Sequence, residues 1–236
     1  MRMPAKAIGD EAIPKLLSTI RQRTERGREV ATMFREGRAA DGIAAMREDG
    51  SFHLVAGRPE RIVERAVELW RKLTDANAED RDYSLLVMTP TSTQARQVVM
   101  AIRQHRREAG EISAAEITLK ARDPNSGETF SLAVSIGDRL RMFSRVYDAD
   151  IGGRKRWLAS NGDVVEVTAV QPEGLRVRNA DGVEGRVTWA QTRPWRAPRN
   201  DPVMVTYGYA VIIDAAQSLT KSEGIVVMPE GSGQVT

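Results

Sequence analysis

Residues 207–228 constrain this chain most. Tyr207-Gly208-Tyr209-Ala210-Val211 leads into Asp214-Ala215-Ala216-Gln217-Ser218-Leu219-Thr220, and that polar turn leads into the apolar Ile225-Val226-Val227-Met228. An apolar run, a polar turn around a glutamine and a second apolar run predict strand, short helix and strand. The polar groups, Gln217 and Thr220 among them, then fall where the first strand ends, and open α/β sheets bind their ligands at such ends. A second unit of the same kind lies upstream. Residues 83–88 (YSLLVM) form an apolar run of strand length, followed by Thr89-Pro90-Thr91-Ser92-Thr93 and a helical pattern over 94–109. A buried parallel strand, a hydroxyl-rich turn and a helix make one βα unit. Thr89 and Thr91 have two compatible roles there: capping the helix through backbone N–H groups, and presenting a helix N-terminus to phosphate.

The rest of the chain divides by pattern. Residues 11–36 carry apolar positions at helical spacing in two stretches, with Gly37 as a stop, and 39–46 predicts a further short helix. A turn at Glu48-Asp49-Gly50 precedes an expected strand over 52–55. Residues 59–73 give the clearest helix, with Pro59 in the first turn and an apolar stripe that includes Trp70 as a core residue. After Gly110 the period shortens. Runs at 117–119, 130–134, 139–143, 163–170, 174–178 and 185–189 alternate like strands, punctuated by Asn125-Ser126-Gly127, Ile136-Gly137-Asp138, Asn161-Gly162-Asp163 and Asp181-Gly182. Such spacing predicts a small all-β barrel. A proline-rich crossing over 194–202 then returns the chain to α/β character, so the barrel reads as an insertion, with 83–88 and 205–211 in one layer.

Composition excludes several classes. With no cysteine there are no disulfides, thiolate metal sites or cysteine nucleophiles. No apolar run approaches the length of a membrane span, and the N-terminus lacks the apolar core of a secretory signal. His53 and His105 are isolated and build no paired-histidine metal site. Asp10-Glu11-Ala12 imitates an acidic magnesium motif without the apolar strand that should precede it. No G-x-x-x-x-G-K-[ST] occurs, so no P-loop is expected.

The formal charge is only +3, but it is unevenly placed. Residues 131–200 hold twelve Lys and Arg against eight Asp and Glu, and residues 201–236 hold one against four. A basic middle suits a nucleic-acid footprint, or equally a solvated arginine-rich surface. Within it, Arg139 and Arg141 alternate along one strand and should share a face, as should Arg176 and Arg178. Arg154-Lys155-Arg156-Trp157 sets three cations beside an aromatic ring, as a strand-binding loop or as an exposed hairpin. Trp189 reads as core packing. Tyr207 and Tyr209 read as sheet and hinge residues.

Taken in order, these segments resemble the helicase region of conjugative relaxases, the TraI-like proteins of the MobF class that nick, unwind and export plasmid DNA, and through them the RecD-like superfamily-one helicases. Residues 208–220 (GYAVIIDAAQSLT) resemble helicase motif V, with Pro229-Glu230-Gly231-Ser232 as its sequel; 85–110 resembles the family's βα unit. Residues 13–23 (IPKLLSTIRQR) and 30–50 resemble the start of the second motor domain, and Ile136-Gly137-Asp138-Arg139-Leu140 with Asn161-Gly162-Asp163 and Gly182 the inserted SH3-like element. The resemblance implies a RecA-like (2A) parallel-sheet half-domain over 1–115, with a helical N-terminal segment. It implies an SH3-like β-barrel (2B) inserted over 116–200 and a return to 2A over 201–236. It places Arg21 at the motif IV arginine and, with Gln22, near the nucleotide of the parent module. Ser218 and Ile212 stand where the family has glycine and threonine, and the chain stops before the motif VI arginine, as an excised piece would.

Such a half supplies neither the phosphate-positioning lysine nor the magnesium ligands, so no catalytic residue, no metal site and no cofactor are expected of this chain; ATP and Mg²⁺ belong to the parent if it is an active motor. The implied role is a non-catalytic piece of a relaxase-helicase that engages single-stranded DNA beside the rest of the relaxase chain. The alternative is a translocation-signal module docking the coupling protein of a type IV secretion system. Its place is the donor cytoplasm, with export alongside the DNA and no membrane insertion.

Overall fold

The computed structural model describes residues 24–80, 83–149, 156–216, 219 and 221–228. It divides at Ala56 into two compact units. The first is a helix pair, α1 (Glu25–Arg35) and α2 (Ala39–Glu48). Thr24 caps α1 by accepting a hydrogen bond from the Gly27 N–H at 3.0 Å. Arg26 ties the pair together, donating to the Ala45 carbonyl at 3.3 Å and to Glu48 at 3.2 Å. The expected strand over 52–55 is absent. Among the described residues no strand pairs with it; instead the Phe52 N–H bonds the Met46 carbonyl at 3.0 Å and its ring lies under the Arg47 guanidinium, so the segment closes α2.

In the second unit, α3 (Pro59–Ala76) takes Pro59 at its first position, where a missing N–H costs nothing, and buries Ala66 and Trp70. The Trp70 ring meets His105 edge-on at 6.3 Å. His105 belongs to α4 (Ser92–Glu108), which follows β1 (Leu85–Thr89). Late in the chain β11 (Val211–Ile212), the short α5 (Ile213–Ala216) and β12 (Glu223–Val226) follow one another. The sheet order is β11-β1-β12, all parallel, with Met88 opposite Val211 and Val226. Residues far apart in sequence thus form one layer, as the paired apolar runs predict, and Val87, Val98 and Ile102 are fully buried beneath it. This is a mixed α/β fold with a three-stranded parallel sheet.

Between those halves lies the β-rich region, with β2 (Glu116–Arg122), β3 (Thr129–Ser135), β4 (Arg139–Met142), β5 (Val146–Tyr147) and β6 (Trp157–Ala159). It continues with β7 (Val164–Gln171), β8 (Gly174–Arg178), β9 (Glu184–Thr188) and β10 (Val205–Tyr207). The strands share one core, centred on Leu132, Leu140, Met142, Leu158, Val165 and Val177. The closed barrel expected here is not found among the described residues. Strands β10-β4-β7-β8-β9 form one antiparallel sheet, β2-β3 and β5-β6 form separate pairs, and Ala121 of β2 makes one isolated bridge to Val203. In the short β5 the Tyr147 N–H goes to the Gln191 side chain at 2.8 Å and not to a further strand, so no continuous ladder closes the ring there.

A second correction concerns 205–211, expected in the layer of 83–88. The run divides: Val205–Tyr207 pairs antiparallel with β4, and only Val211 onward joins β1. Gly208 makes the switch, since a Cβ there would lie 2.6 Å from a Val164 methyl. Among the described residues no helix is long and apolar enough to cross a membrane.

Candidate functional site

Helix α4 lies along the seam between the parallel sheet and the β-rich region, and its two ends meet different surroundings. At the C-terminal end, Arg103 and Arg106 turn into the seam. Arg103 donates from Nε to Asp138 Oδ1 at 2.9 Å and from Nη2 to Oδ2 at 3.0 Å, and Asp138 is fully buried. Asp138 also accepts from the Ser135 N–H at 2.8 Å and from the Tyr209 hydroxyl at 3.1 Å. That hydroxyl in turn accepts from Arg106 Nη1 at 3.1 Å and from the Arg139 N–H at 3.0 Å, so its one donor and two acceptor sites are all used. Arg106 completes the set on the Gly137 carbonyl at 3.0 Å and on Glu111 at 2.7 Å. Only glycine fits at 137, where φ is +91° and a Cβ would overlap the Glu111 carbonyl.

Charge matches geometry in this network. Burial is the largest influence on Arg103 and works to lower its pKa, but the Asp138 and Glu116 hydrogen bonds and the neighbouring Asp138 and Tyr207 together outweigh it, and the net shift is upward. Burial, aided by the Asp138 carboxylate, pushes Tyr209 up to about 12. Tyr207 is raised as well, chiefly by burial; it stacks on Tyr209 at 6.0 Å and lies under the Arg103 guanidinium. This half of the seam is fully partnered and offers nothing to a ligand.

At the N-terminal end of α4 the carboxyl ends of β1 and β11 lie side by side. Thr91 caps the helix, accepting from the Gln94 N–H at 3.3 Å. Thr89, a candidate for contact with nucleic acid, is fully buried, and its hydroxyl donates to the Thr91 carbonyl at 3.0 Å. It shapes the turn rather than a surface. Beside the turn is a cavity of about 90 Å³, open to solvent, between α4, β4 and α5. Arg141 lines it. Only 9% exposed, Arg141 makes one long hydrogen bond, Nη2 to the Ala215 carbonyl at 3.5 Å; its Nε has no partner, and its guanidinium lies 5.2 Å from the Phe143 ring centroid. Burial lowers its pKa, and the Asp123 carboxylate only partly restores it.

Arg139 and Arg141 are alternate residues of β4, as expected, but Arg139 is exposed while Arg141 is covered. Arg176 and Arg178 stand outward on β8; Arg178 is held by Glu184 at 2.7 Å and by Glu166 at 3.7 Å, which raises its pKa. Arg156 is exposed and bound to Asp148 and the Glu184 carbonyl. Trp157 is 42% exposed, its indole N–H on Ser160. Across the paired strands Arg139, Arg178 and Arg156 form one row linked through Glu166 and Glu184, whereas Arg141 is covered beside the cavity. Arg21, Gln22, Arg154, Lys155, Gln217 and Thr220 lie outside the described residues.

Trp189 packs against the β-rich core, as read. The indole that sequence reading passed over is Trp195, 88% exposed in the proline-rich crossing with the Arg196 guanidinium over its ring. A tryptophan between prolines belongs to no periodic pattern that would bury it, and that was the available signal. Among the described residues no group of His, Cys, Asp and Glu is placed to hold a metal ion.

No family model and no curated protein match this chain. Solved structures do. The crystal structure of the Pif1 helicase from Bacteroides in complex with ADP-AlF3 and ssDNA covers 91% of this chain at 17% identity and a TM-score of 0.51. A second structure, Bacteroides Pif1 bound to ssDNA, covers 87% at 17% identity with a TM-score of 0.47. The first likeness is one of fold alone, to part of that helicase structure. The chain spans about 45% of the length of the helicase it resembles.

Proposed function

We propose that this chain is the second-motor-domain part of a helicase module from a conjugative relaxase-helicase, and that it engages single-stranded DNA without hydrolysing ATP by itself. The domain plan is a RecA-like 2A half over 1–115 and 201–236, interrupted over 116–200 by an SH3-like 2B element whose sheets remain open. One observation carries the reading. The carboxyl ends of two adjacent parallel strands, β1 and β11, meet beside a Thr91-capped helix N-terminus and the short α5. Ligands of open α/β sheets bind at such ends, and helix N-termini favour phosphate. The Pif1 structure with the same fold was crystallised with ssDNA, which supports a strand as ligand here.

Arg139, Arg156 and Arg176 add positive charge on the β-rich surface, and Trp157 and Trp195 supply exposed rings on which bases stack, each worth about 1–3 kcal/mol by alanine substitution. Titration of fluorescent oligo-dT at rising salt tests the reading. Log affinity should fall linearly with log salt, each phosphate contact contributing about −0.7 to the slope. Absent or salt-independent binding by the folded protein would overturn it, and the docking alternative would take its place.

A further inference from the structure

The proline-rich crossing carries a feature that the parallel sheet does not explain. Two turns succeed one another there: the Ala197 N–H donates to the Pro194 carbonyl at 3.0 Å, and the Asp201 N–H to the Pro198 carbonyl at 3.1 Å. The base of the loop is tied twice, by Arg193 Nε on the Asp201 carbonyl at 2.9 Å and by the Met204 N–H on the Thr192 carbonyl at 2.6 Å. Arg196, third residue of the first turn, has φ +62°, a left-handed conformation that turns usually give to glycine or asparagine. Among the described residues no other non-glycine residue has a positive φ. Burial does not offset that strain, since Arg196 is exposed. Its guanidinium is set over one face of the Trp195 ring, 5.8 Å from the centroid, and the rest of the indole stands in solvent. Strain of this kind gathers at ligand clamps.

The surroundings select the ligand. Residues 193–200 hold three arginines and no acid. Arg196 and Arg199 are exposed and form no ion pair among the described residues. A protein hot spot would seat the indole in a packed apolar patch, yet no second large apolar residue of the crossing is exposed. A flat ring open on one face beside two cations matches a nucleotide, whose base stacks and whose phosphates are anionic. The ring is held by its turns before a ligand arrives, so little ordering is left to oppose binding.

We propose that the loop over 194–199 is a stacking post for one unpaired base of the bound strand, the base lying on the face of Trp195 away from Arg196, with Arg196 and Arg199 meeting the flanking phosphates. The inference rests on strand binding as proposed above and assigns a base contact to this loop.

The test measures fluorescence anisotropy at fixed salt with oligo-dT and with an abasic oligomer of the same length. The natural chain should favour oligo-dT. Trp195→Ala should weaken oligo-dT about tenfold and leave the abasic oligomer unchanged, while Trp195→Phe, which keeps a ring, should stay within about threefold of the natural chain. Arg196→Gly, which relieves the left-handed strain, should hold or raise the urea midpoint, weaken both oligomers alike and reduce the salt slope by about 0.7. Equal affinity of the natural chain for both oligomers, or full oligo-dT affinity in Trp195→Ala, overturns the post and leaves the strand reading standing. Equal weakening of both oligomers by Trp195→Ala also overturns it, since the ring would then act without a base. A natural chain that binds neither oligomer overturns the strand reading and the post with it. Should that chain instead bind a polyglutamate peptide through Trp195, the loop belongs to an acidic protein partner.

Discussion

Two arginines of the same seam, Arg103 near one end of α4 and Arg141 beside the other, are both buried and yet stand in opposite states. Arg103 is held on both carboxylate oxygens of Asp138, and every polar atom around that pair is used. Arg141 has a buried, orphaned Nε, and its side chain lines an open cavity. Burial alone therefore does not separate a structural charge from a functional one; satisfaction does. A saturated network fixes the β-rich region to α4, whereas an unsatisfied one persists where something other than stability maintains it.

The contrast can be broken most forcibly at Asp138. Asp138→Ala leaves the buried Arg103 with only its longer contact to the part-exposed Glu116, at 3.4 Å, and a loss of about 3–5 kcal/mol is expected in urea melts. A loss under 1 kcal/mol would mean that the network contributes little. Tyr209→Phe should cost less, about 1–3 kcal/mol, because it leaves Arg106, the Arg139 N–H and Asp138 each short of one partner. That variant also sharpens the comparison through pH. Tyr209 has an ordinary value of 10.0 and is pushed up to about 12 in the fold, so the folded chain favours its neutral form. The stability this supplies is complete below about pH 10 and is lost as pH rises toward about 12. Melts across that window should steepen for the natural chain and flatten for Tyr209→Phe; parallel curves would remove Tyr209 from the seam's energetics.

Much of this was legible in the sequence, for local reasons. The apolar run, the hydroxyl-rich turn and the helical stripe of 83–109 become β1, the Thr91 cap and α4, since each depends on neighbours within a few positions. The return at Val211 and at 225–227 to the same sheet also followed from pattern. What the sequence did not carry was partner choice. Residues 205–207 read equally well as a strand of either sheet, and only the close approach of Gly208 to Val164 decides where the chain crosses over. Alternation along β4 spaced Arg139 and Arg141 two residues apart on one strand. It said nothing of the Phe143 ring and Ala215 carbonyl, which cover Arg141 and leave Arg139 in solvent. Tyr209 was read as a hinge residue, because its partners Arg106 and Asp138 lie about a hundred and about seventy residues away.

The smallest expected energetic effect is the most decisive. Arg141→Met, followed by urea melts, sets burial against satisfaction at a buried cation that has no ion pair among the described residues. Stability should hold steady or rise by about 1 kcal/mol. A destabilisation comparable to that of Asp138→Ala would contradict the account.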